Sequence, residues 1–455
     1  MSIEHGARPR RIVILGAGGR DFHNFNTVYR DDPGVEVLAF GATQIPGIGG
    51  RRYPPSLAGQ RYPDGIPILE EADLMDFCRK EGVDAVVFAY SDVSHLDVMH
   101  TASRFLAAGS DFILLGPNAT MLASRRPVVA VTAVRTGCGK SPVSRYVAGL
   151  LRERGLKVGV LRHPMPYGDL ARQDVQRFAT AADLNAADCT VEEREEYQPY
   201  VAEGNVIFAG VDYGRILAAA EAEADVILWD GGNNDFPFIR PDLHIVLADA
   251  LRPGHETAYH PGETLLGMAD HVLIMKVGGA PEGDIAAIET AVRNANPRAG
   301  ILRGDLRVTL DDPKAVEGKR VLVVEDGPTI THGSRPTGAG YVGAEAAGAA
   351  EIVDPRPFAG EALEKTYNQY PHIGPVLPAV GYNREQLAAL EEVIARATVD
   401  AVVLATPASL ENLIDINQPV VRADYAYEEV SEPGLAAVVA RFANDVASGS
   451  GAGPD

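Results

Sequence analysis

Val129-Ala-Val-Thr-Ala-Val-Arg-Thr-Gly-Cys-Gly-Lys-Ser141 is the stretch on which the fold turns. Residues 129–134 are apolar or β-branched and read as a buried strand. Arg135, Thr136, Gly137, Cys138 and Gly139 read as a tight turn, and Lys140-Ser141 opens a helix. A turn of this kind wraps its backbone N–H groups around nucleotide phosphates. Lys140 then offsets the charge on the β and γ oxygens, and the Ser141 hydroxyl can ligate Mg²⁺. The full pattern, G-x-x-x-x-G-K-[ST], has a glycine where this chain has Val134. The bland alternative is a glycine turn with a surface lysine, and the flanking strand and helix argue against it. The seven residues Arg135–Ser141 are therefore the expected nucleotide-binding loop.

Working outward, the alternation is β-α-β. Before the loop, RIVILGA (11–17), VEVLAFG (35–41), DAVVFAYS (84–91) and DFILLGP (111–117) are short apolar runs. Helical stretches at 70–82 and 94–109 separate some of them. After it come KVGVLRHP (157–164), NVIFAGV (205–211), ADVILWDGG (224–232), DLHIVLADA (242–250), HVLIMKVGG (271–279), KRVLVVEDGPT (319–329) and DAVVLATPA (400–408). Strands without polar alternation, separated by helices, predict parallel sheets covered on both faces. The expected fold is α/β. A Rossmann-like ligand-binding domain over 1–125 precedes a larger doubly wound P-loop NTPase core over 126–445, and a flexible tail covers 446–455. EEREEY (192–197) reads as a solvated helix face.

Several strand ends carry chemistry. Val226-Ile-Leu-Trp-Asp230 is an apolar strand ending in a carboxylate, the usual partner of a phosphate loop, holding Mg²⁺ directly or through water. Arg162 and His163 leave the strand at 157–164 and are placed to meet phosphate oxygens, with Asp169 orienting a metal water or nucleophile; a solvated Pro-rich connection is the equal alternative. Arg252, His255, His260 and Glu263 fall on a loop after another strand and suit a substrate-facing surface; their spacing is not that of a zinc site. In the N-terminal unit, Gly16-Ala-Gly18-Gly19-Arg20-Asp21 begins like a dinucleotide fingerprint but has Asp21 where the third glycine belongs. Arg20 beside a glycine nest, with Arg51 and Arg52 on a second Gly/Arg loop, suits a phosphorylated ligand, against the alternative of turn glycines with surface arginines. Glu325-Asp326 precedes a further Gly/Thr/His loop. Lys276 falls in Met-Lys-Val-Gly, where a guanine-reading Asn-Lys-x-Asp would stand, so ATP is expected over GTP. Cys138, at a helix N-terminus, is a candidate for a lowered thiol pKa.

The composition sets limits. The chain has 455 residues, 46% hydrophobic and 23% charged, with a net charge of −21. An acidic surface disfavours nucleic-acid binding, and no apolar run reaches the roughly 18–20 residues of a membrane span. Three cysteines make neither a disulfide framework nor a zinc site, and a reducing cytoplasm is expected.

Together these motifs resemble the cyclic 2,3-diphosphoglycerate synthetase family and its P-loop relatives labelled GTPases. The runs that carry the resemblance include GRDFHNFNTVYR (19–30), TQIPGIGGRRYP (43–54), VFAYSDVSH (87–95), AVRTGCGKS (133–141), RHPMPYGDL (162–170), ILWDGGNNDFPF (227–238), RPGHETAYHPGE (252–263), VEDGPTITHG (324–333) and YPHIGPVLPAVGY (370–382). The resemblance implies an ATP- and Mg²⁺-dependent ligase that closes the two phosphates of 2,3-bisphosphoglycerate into an intramolecular anhydride, and a homodimer. Coupling two phosphates needs cations to offset their repulsion. On this reading Lys140, Asp230, Arg162, His163 and Asp169 are catalytic, Ser141 and Asp230 hold metal, and Arg20, Arg51, Arg52, Arg252, His255 and His260 hold a small phosphorylated acid. A kinase of another small anion, or a nucleotide-hydrolysing regulator, fits the same loop.

Overall fold

The computed structural model describes residues 8–16, 18–42, 50–162, 170–232, 235–331, 335–379, 384–406 and 410–448. His163 and Asp169 lie outside them. The chain forms two main sheets, as the apolar runs predict. The first has the spatial order Arg52–Tyr53, Ile66–Glu70, Val35–Ala42, Arg10–Leu15, Ala85–Phe88, Asp111–Leu114. All neighbours pair in parallel except the short Arg52–Tyr53 strand, which runs antiparallel to Ile66–Glu70. Strands two to six of that list are wound outward from Arg10–Leu15 in the order 3-2-1-4-5, that of a Rossmann fold without its sixth strand.

The second sheet has 13 strands. Its first half runs Gln176–Phe178, Val206–Ala209, Val158–Arg162, Val226–Gly231, Val128–Ala133, Leu243–Asp249, His271–Met275, Gly300–Leu310. The strand feeding the phosphate loop is therefore central, with the strand ending at Asp230 beside it. Alternate residues of Val128–Ala133 serve opposite faces. Val129, Val131 and Ala133 pack with Val143, Val147 and Leu151 of helix Lys140–Glu153. Val128 and Ala130 pack with Ile216, Leu217 and Ala220 of helix Tyr213–Glu223. Each buried Val or Leu contributes about 1.5–3 kcal/mol, so this strand is clamped from both sides. Helix Lys140–Glu153 ends where Gly155 takes a φ of 81°, a left-handed turn that glycine makes without cost.

The sheet continues where sequence periodicity was silent. Gly300–Leu310 pairs in parallel with His271–Met275 through its first residues and antiparallel with Val420–Glu429 through its last. Both strands alternate apolar and polar residues and carry glycine or several charges, so neither reads as a buried run. Beyond them Ala401–Ala405, Arg320–Asp326, Glu351–Ile352 and Leu377–Ala379 build a parallel second half with its own core around Val321, Val323, Leu390 and Val403. The closing helix, Leu435–Ala447, returns to pack on helix Lys140–Glu153. Among the described residues no helix is long and apolar enough to cross a membrane.

The two sheets meet over the ends of the central strands. Leu122 bridges to Ile239, the His23 ring stacks on Phe238 at 4.0 Å, and strand Val93–Ser94 pairs antiparallel with Tyr259–His260. The N-terminal sheet thus reaches the loops that surround the phosphate turn.

Candidate functional site

The phosphate loop forms as its sequence dictates. Gly137 and Gly139 take φ values of 80° and 99°, conformations other residues rarely adopt. Val134 needs no such freedom. Its N–H donates to the Leu247 carbonyl at 2.9 Å and extends the strand by one residue. Helix Gly262–Met268 approaches so closely that a Cβ on Gly262 would lie 2.6 Å from the Val134 carbonyl oxygen.

Beneath the loop, Asp230 is a hub with no exposed side chain. Its Oδ1 accepts from Lys140 Nζ at 2.9 Å and from Ser144 Oγ at 2.7 Å. Its Oδ2 accepts from the Tyr200 hydroxyl at 2.7 Å and from Arg162, which also pairs with Glu196. Burial alone would raise the Asp230 pKa, but Arg162 and Lys140 outweigh it and hold the carboxyl below its usual range. Burial lowers the Lys140 pKa against the pull of Asp230. Four donors saturate the lone pairs of one carboxylate. Ligation of a metal by Asp230, directly or through a water, therefore needs Lys140 to swing away from the carboxylate. Ser141, at the cavity wall in the first helical turn, fits a metal ligand.

A second carboxylate, Asp249, braces the loop from the other side. It accepts from Arg252 Nε at 2.9 Å and Lys276 Nζ at 2.8 Å. Arg252 also donates to the Thr136 carbonyl at 2.8 Å, and Lys276 to the Gly137 carbonyl at 2.5 Å. Arg252, expected to hold substrate, instead fixes the loop backbone, because its guanidinium is already shared between Asp249 and the turn. Cys138 is buried, and burial pushes its thiol pKa up, so the expected activation at the helix N-terminus does not occur. At the Met-Lys-Val-Gly position, Asp305 on the neighbouring strand accepts the Gly278 N–H at 2.7 Å and lines the cavity.

The loop with His255 and His260 faces the N-terminal sheet. His255 Nδ1 lies 2.9 Å from Arg135 Nη1, and burial followed by Arg135 lowers its pKa. The His260 ring packs edge-on to Phe88 and Phe236, and burial lowers its pKa to about 4. Neither histidine lines the main cavity. His260 has a sheet-to-sheet role with a pH signature. Its folded pKa lies below the unfolded value of about 6.5, so the unfolded chain binds the proton first, and stability falls as pH drops from about 6.5 toward 4. His260→Phe should shrink the loss of melting temperature between pH 7 and 4.5. Buried His244, also near 4, keeps part of that loss in place. Melting curves of the variant with an unchanged acid limb would refute this.

The N-terminal arginines correct the expectation placed on them. The glycine nest is filled by its own chain: Asp21 accepts the Gly18 N–H at 2.8 Å and the Gly19 N–H at 2.7 Å, with burial raising its pKa to about 6. Arg20 is buried in an ion pair with Asp235 and stacks on Phe236 at 4.3 Å. Arg52 donates to the carbonyls of Asp64 and Gly65 at 2.8 and 3.0 Å, closing its hairpin. None of Arg20, Arg51 and Arg52 lines the cavity. The donors of Arg20 and Arg52 described above meet protein acceptors, while residues 43–49 of the Gly/Arg loop lie outside the described residues.

The cavity that does form has a volume of about 370 Å³. One wall is the phosphate loop with Lys140, Ser141, Lys276 and Leu306. The rest of the lining includes residues the sequence did not single out together: Arg145, Glu195, Glu196, Tyr200, Arg335 and Tyr425, joined by Glu325 and Asp326. Glu325 accepts backbone N–H groups of Gly338, Gly340 and Tyr341, yet burial carries its pKa to about 7. The run read as a solvated face is the main surprise. Glu193, Glu195 and Tyr197 are buried, Glu193 closes a capping box with Thr190, and Glu196 and Tyr200, at i and i+4, reach Arg162 and Asp230 from one helix face. That spacing was the available signal. A larger depression of about 560 Å³, around Gly155, Lys157 and Gly204, opens at the opposite strand ends and holds none of these residues; ligands of such sheets bind at the carboxyl ends.

Comparison with known proteins adds one full-length match. The chain is 56% identical over 438 residues to arginine synthetase ArcE of Thermococcus kodakarensis, covering 96% of this chain and 98% of that protein. The chain belongs to the ArcE family. The match runs to a protein named for arginine synthesis, whereas the motif runs resemble cyclic 2,3-diphosphoglycerate synthetases. No protein-family model matches. Among solved structures, LpxK from Aquifex aeolicus in complex with ATP aligns with a TM-score of 0.39 at 12% identity, over 76% of this chain and 95% of that one. The murein ligase Mpl from Neisseria meningitides aligns at 0.25 and 14% identity, over 66% and 80%. Neither likeness is close enough to bear on function.

Proposed function

We propose that this chain is an ATP- and Mg²⁺-dependent synthetase that forms arginine. The end-to-end match to arginine synthetase ArcE carries the reading, and the phosphate loop supplies the means. Making arginine with a nucleotide requires turning a carbon–oxygen bond into a guanidinium carbon–nitrogen bond. The γ-phosphoryl group activates a ureido oxygen, a nitrogen nucleophile displaces it as phosphate, and ADP is left. Mg²⁺, when bound, offsets charge on the phosphates, with Ser141 its ligand from the chain. Lys140 steadies the transferring group, and Asp230 and Arg162 keep Lys140 in reach.

The cavity supports an amino-acid acceptor. Arg145, Arg162 and Arg335 stand with Glu195, Glu196, Glu325 and Asp326, so both ends of a zwitterion find opposite charge. The finer alternative, cyclisation of 2,3-bisphosphoglycerate, keeps the motif resemblance in its favour. It places a polyanion against five carboxylates, Asp305 among them, and Arg20, Arg51 and Arg52, expected to hold it, lie elsewhere. A homodimer remains part of the proposal.

The test uses the reverse reaction, whose reactants are all known under this reading. With Mg²⁺, ADP, labelled inorganic phosphate and free arginine, label should enter ATP, and omission of arginine should stop it. Absence of arginine-dependent label would sink the proposal. A cyclic pyrophosphate signal in phosphorus NMR with ATP and 2,3-bisphosphoglycerate would replace it with the cyclising reaction.

A further inference from the structure

The phosphate loop is not held by its own half of the molecule alone. Asp92 lies in the N-terminal unit, on the segment between strand Ala85–Phe88 of its sheet and strand Val93–Ser94 of the ribbon. Its carboxylate reaches across to the loop. Oδ1 accepts from Arg135 Nε at 2.5 Å, and Oδ2 accepts the Thr136 backbone N–H at 3.3 Å. The side chains of both ion-pair partners are about nine-tenths buried, at 11% and 7% exposed. The Arg135 guanidinium carbon also lies over the Tyr259 ring, 3.6 Å from its centroid, and its Nη1 meets His255. Three neighbours therefore fix a side chain that would otherwise lose considerable rotamer entropy on being ordered. Its third nitrogen, Nη2, takes no hydrogen bond among the described residues, and Arg135 lines the cavity.

Asp92 adopts a φ of 60°. A non-glycine residue in the left-handed region carries a cost of about 1 kcal/mol or more and persists where its surroundings enforce it. Here the surroundings are a two-stranded ribbon. Val93–Ser94 pairs with Tyr259–His260, and the His95 N–H donates to the Ala258 carbonyl at 2.9 Å. The ribbon carries both the carboxylate that meets the Nε edge of the guanidinium and the aromatic ring that lies against it. This anchoring falls on the part of the loop that follows Val134, where the usual first glycine is absent.

We infer that Asp92 is a positioning residue supplied by the N-terminal unit, which presents Arg135 to the terminal phosphate of the bound nucleotide. Asp92 acts through Arg135 and touches no phosphate itself. The inference rests on the loop being a nucleotide site and is independent of the acceptor.

Asp92→Gly tests it well, because glycine accepts the same backbone angle and removes only the carboxylate. Asp92→Asn keeps shape and loses charge. Affinities for Mg·ATP and Mg·ADP are measured by calorimetry on the full chain, for wild type, both Asp92 variants, Arg135→Ala and the Asp92→Gly/Arg135→Ala double variant. The expected result is a loss of about tenfold or more for ATP in each single variant, less than threefold for ADP, and no further loss in the double. Equal losses for ATP and ADP would mean generic damage to the loop. Additive losses would mean that Asp92 does not act through Arg135. Unchanged ATP affinity in Asp92→Gly would likewise overturn the inference. A wild-type chain that binds neither nucleotide would instead refute the reading of the loop, a result distinct from all three.

Discussion

Lys140→Ala should reduce arginine-dependent exchange of phosphate into ATP by about a thousandfold or more, while lowering the melting temperature by only a few degrees. The two effects separate because Lys140 has different duties in the two states. In the free protein its Nζ donates to Asp230 at 2.9 Å, but Asp230 keeps Ser144, Tyr200 and Arg162 when Lys140 is gone. The carboxylate stays paired, and removing a mostly buried ammonium also removes its desolvation cost. In the nucleotide complex the lysine offsets charge on the transferring phosphoryl group. Loss of one such preorganised contact costs about 10²–10³ in rate, and a cation placed directly on the phosphoryl group more. Full turnover in the variant would end the phosphate-loop assignment. A collapse in stability equal to the loss in turnover would show Lys140 to be a structural residue.

The sequence disclosed the parts of this site that are local and left out those that depend on crossings. Val129 to Ser141 is one strand, one turn and one helix start, and each step has its own signature: β-branched residues, glycines with positive φ, then Lys-Ser. Asp230 was legible because an apolar run ending in a carboxylate is also local. Arg162 was visible as a residue but not as the partner of Asp230, since that pairing exists only because strands Val158–Arg162 and Val226–Gly231 are neighbours. The charged run at 192–197 looked solvated because charge predicts exposure on average. Here Glu196 is drawn inward by Arg162, and Glu193 by its own helix cap. Arg20 misled for the converse reason. A basic residue beside glycines suits an anion, and the anion it found is Asp235, more than two hundred residues later. Asp92 fell inside one of the runs that carry the resemblance but bore no sign of its role, because its work depends on how the two sheets dock.

The same reasoning fixes the second large effect. Asp230→Ala should cost about 3–5 kcal/mol of folding stability and abolish turnover. The substitution strips Lys140 of its carboxylate, leaves Arg162 with Glu196 alone, and orphans the Ser144 and Tyr200 hydroxyls. Uncompensated buried charge of this kind is among the most destabilising changes known. The pH dependence has a definite sign. The Asp230 carboxyl is held below its usual range, so its contribution is complete above the unfolded value near 4 and is lost only as pH falls through the lower folded value. Denaturant unfolding of wild type and Asp230→Asn should thus show a gap that is constant from about pH 8 to 5 and closes below about 4. A companion change isolates the cause. If the penalty comes from stranded charge, Asp230→Ala with Arg162→Met should be more stable than Asp230→Ala alone, since an apolar side chain can fill the site that the half-paired guanidinium disrupts. It should regain no turnover, because Lys140 is still missing the carboxylate that accepts its hydrogen bond. Equal stability of the single and double variants would place the cost in lost packing, and the hub would then be a matter of shape more than of charge.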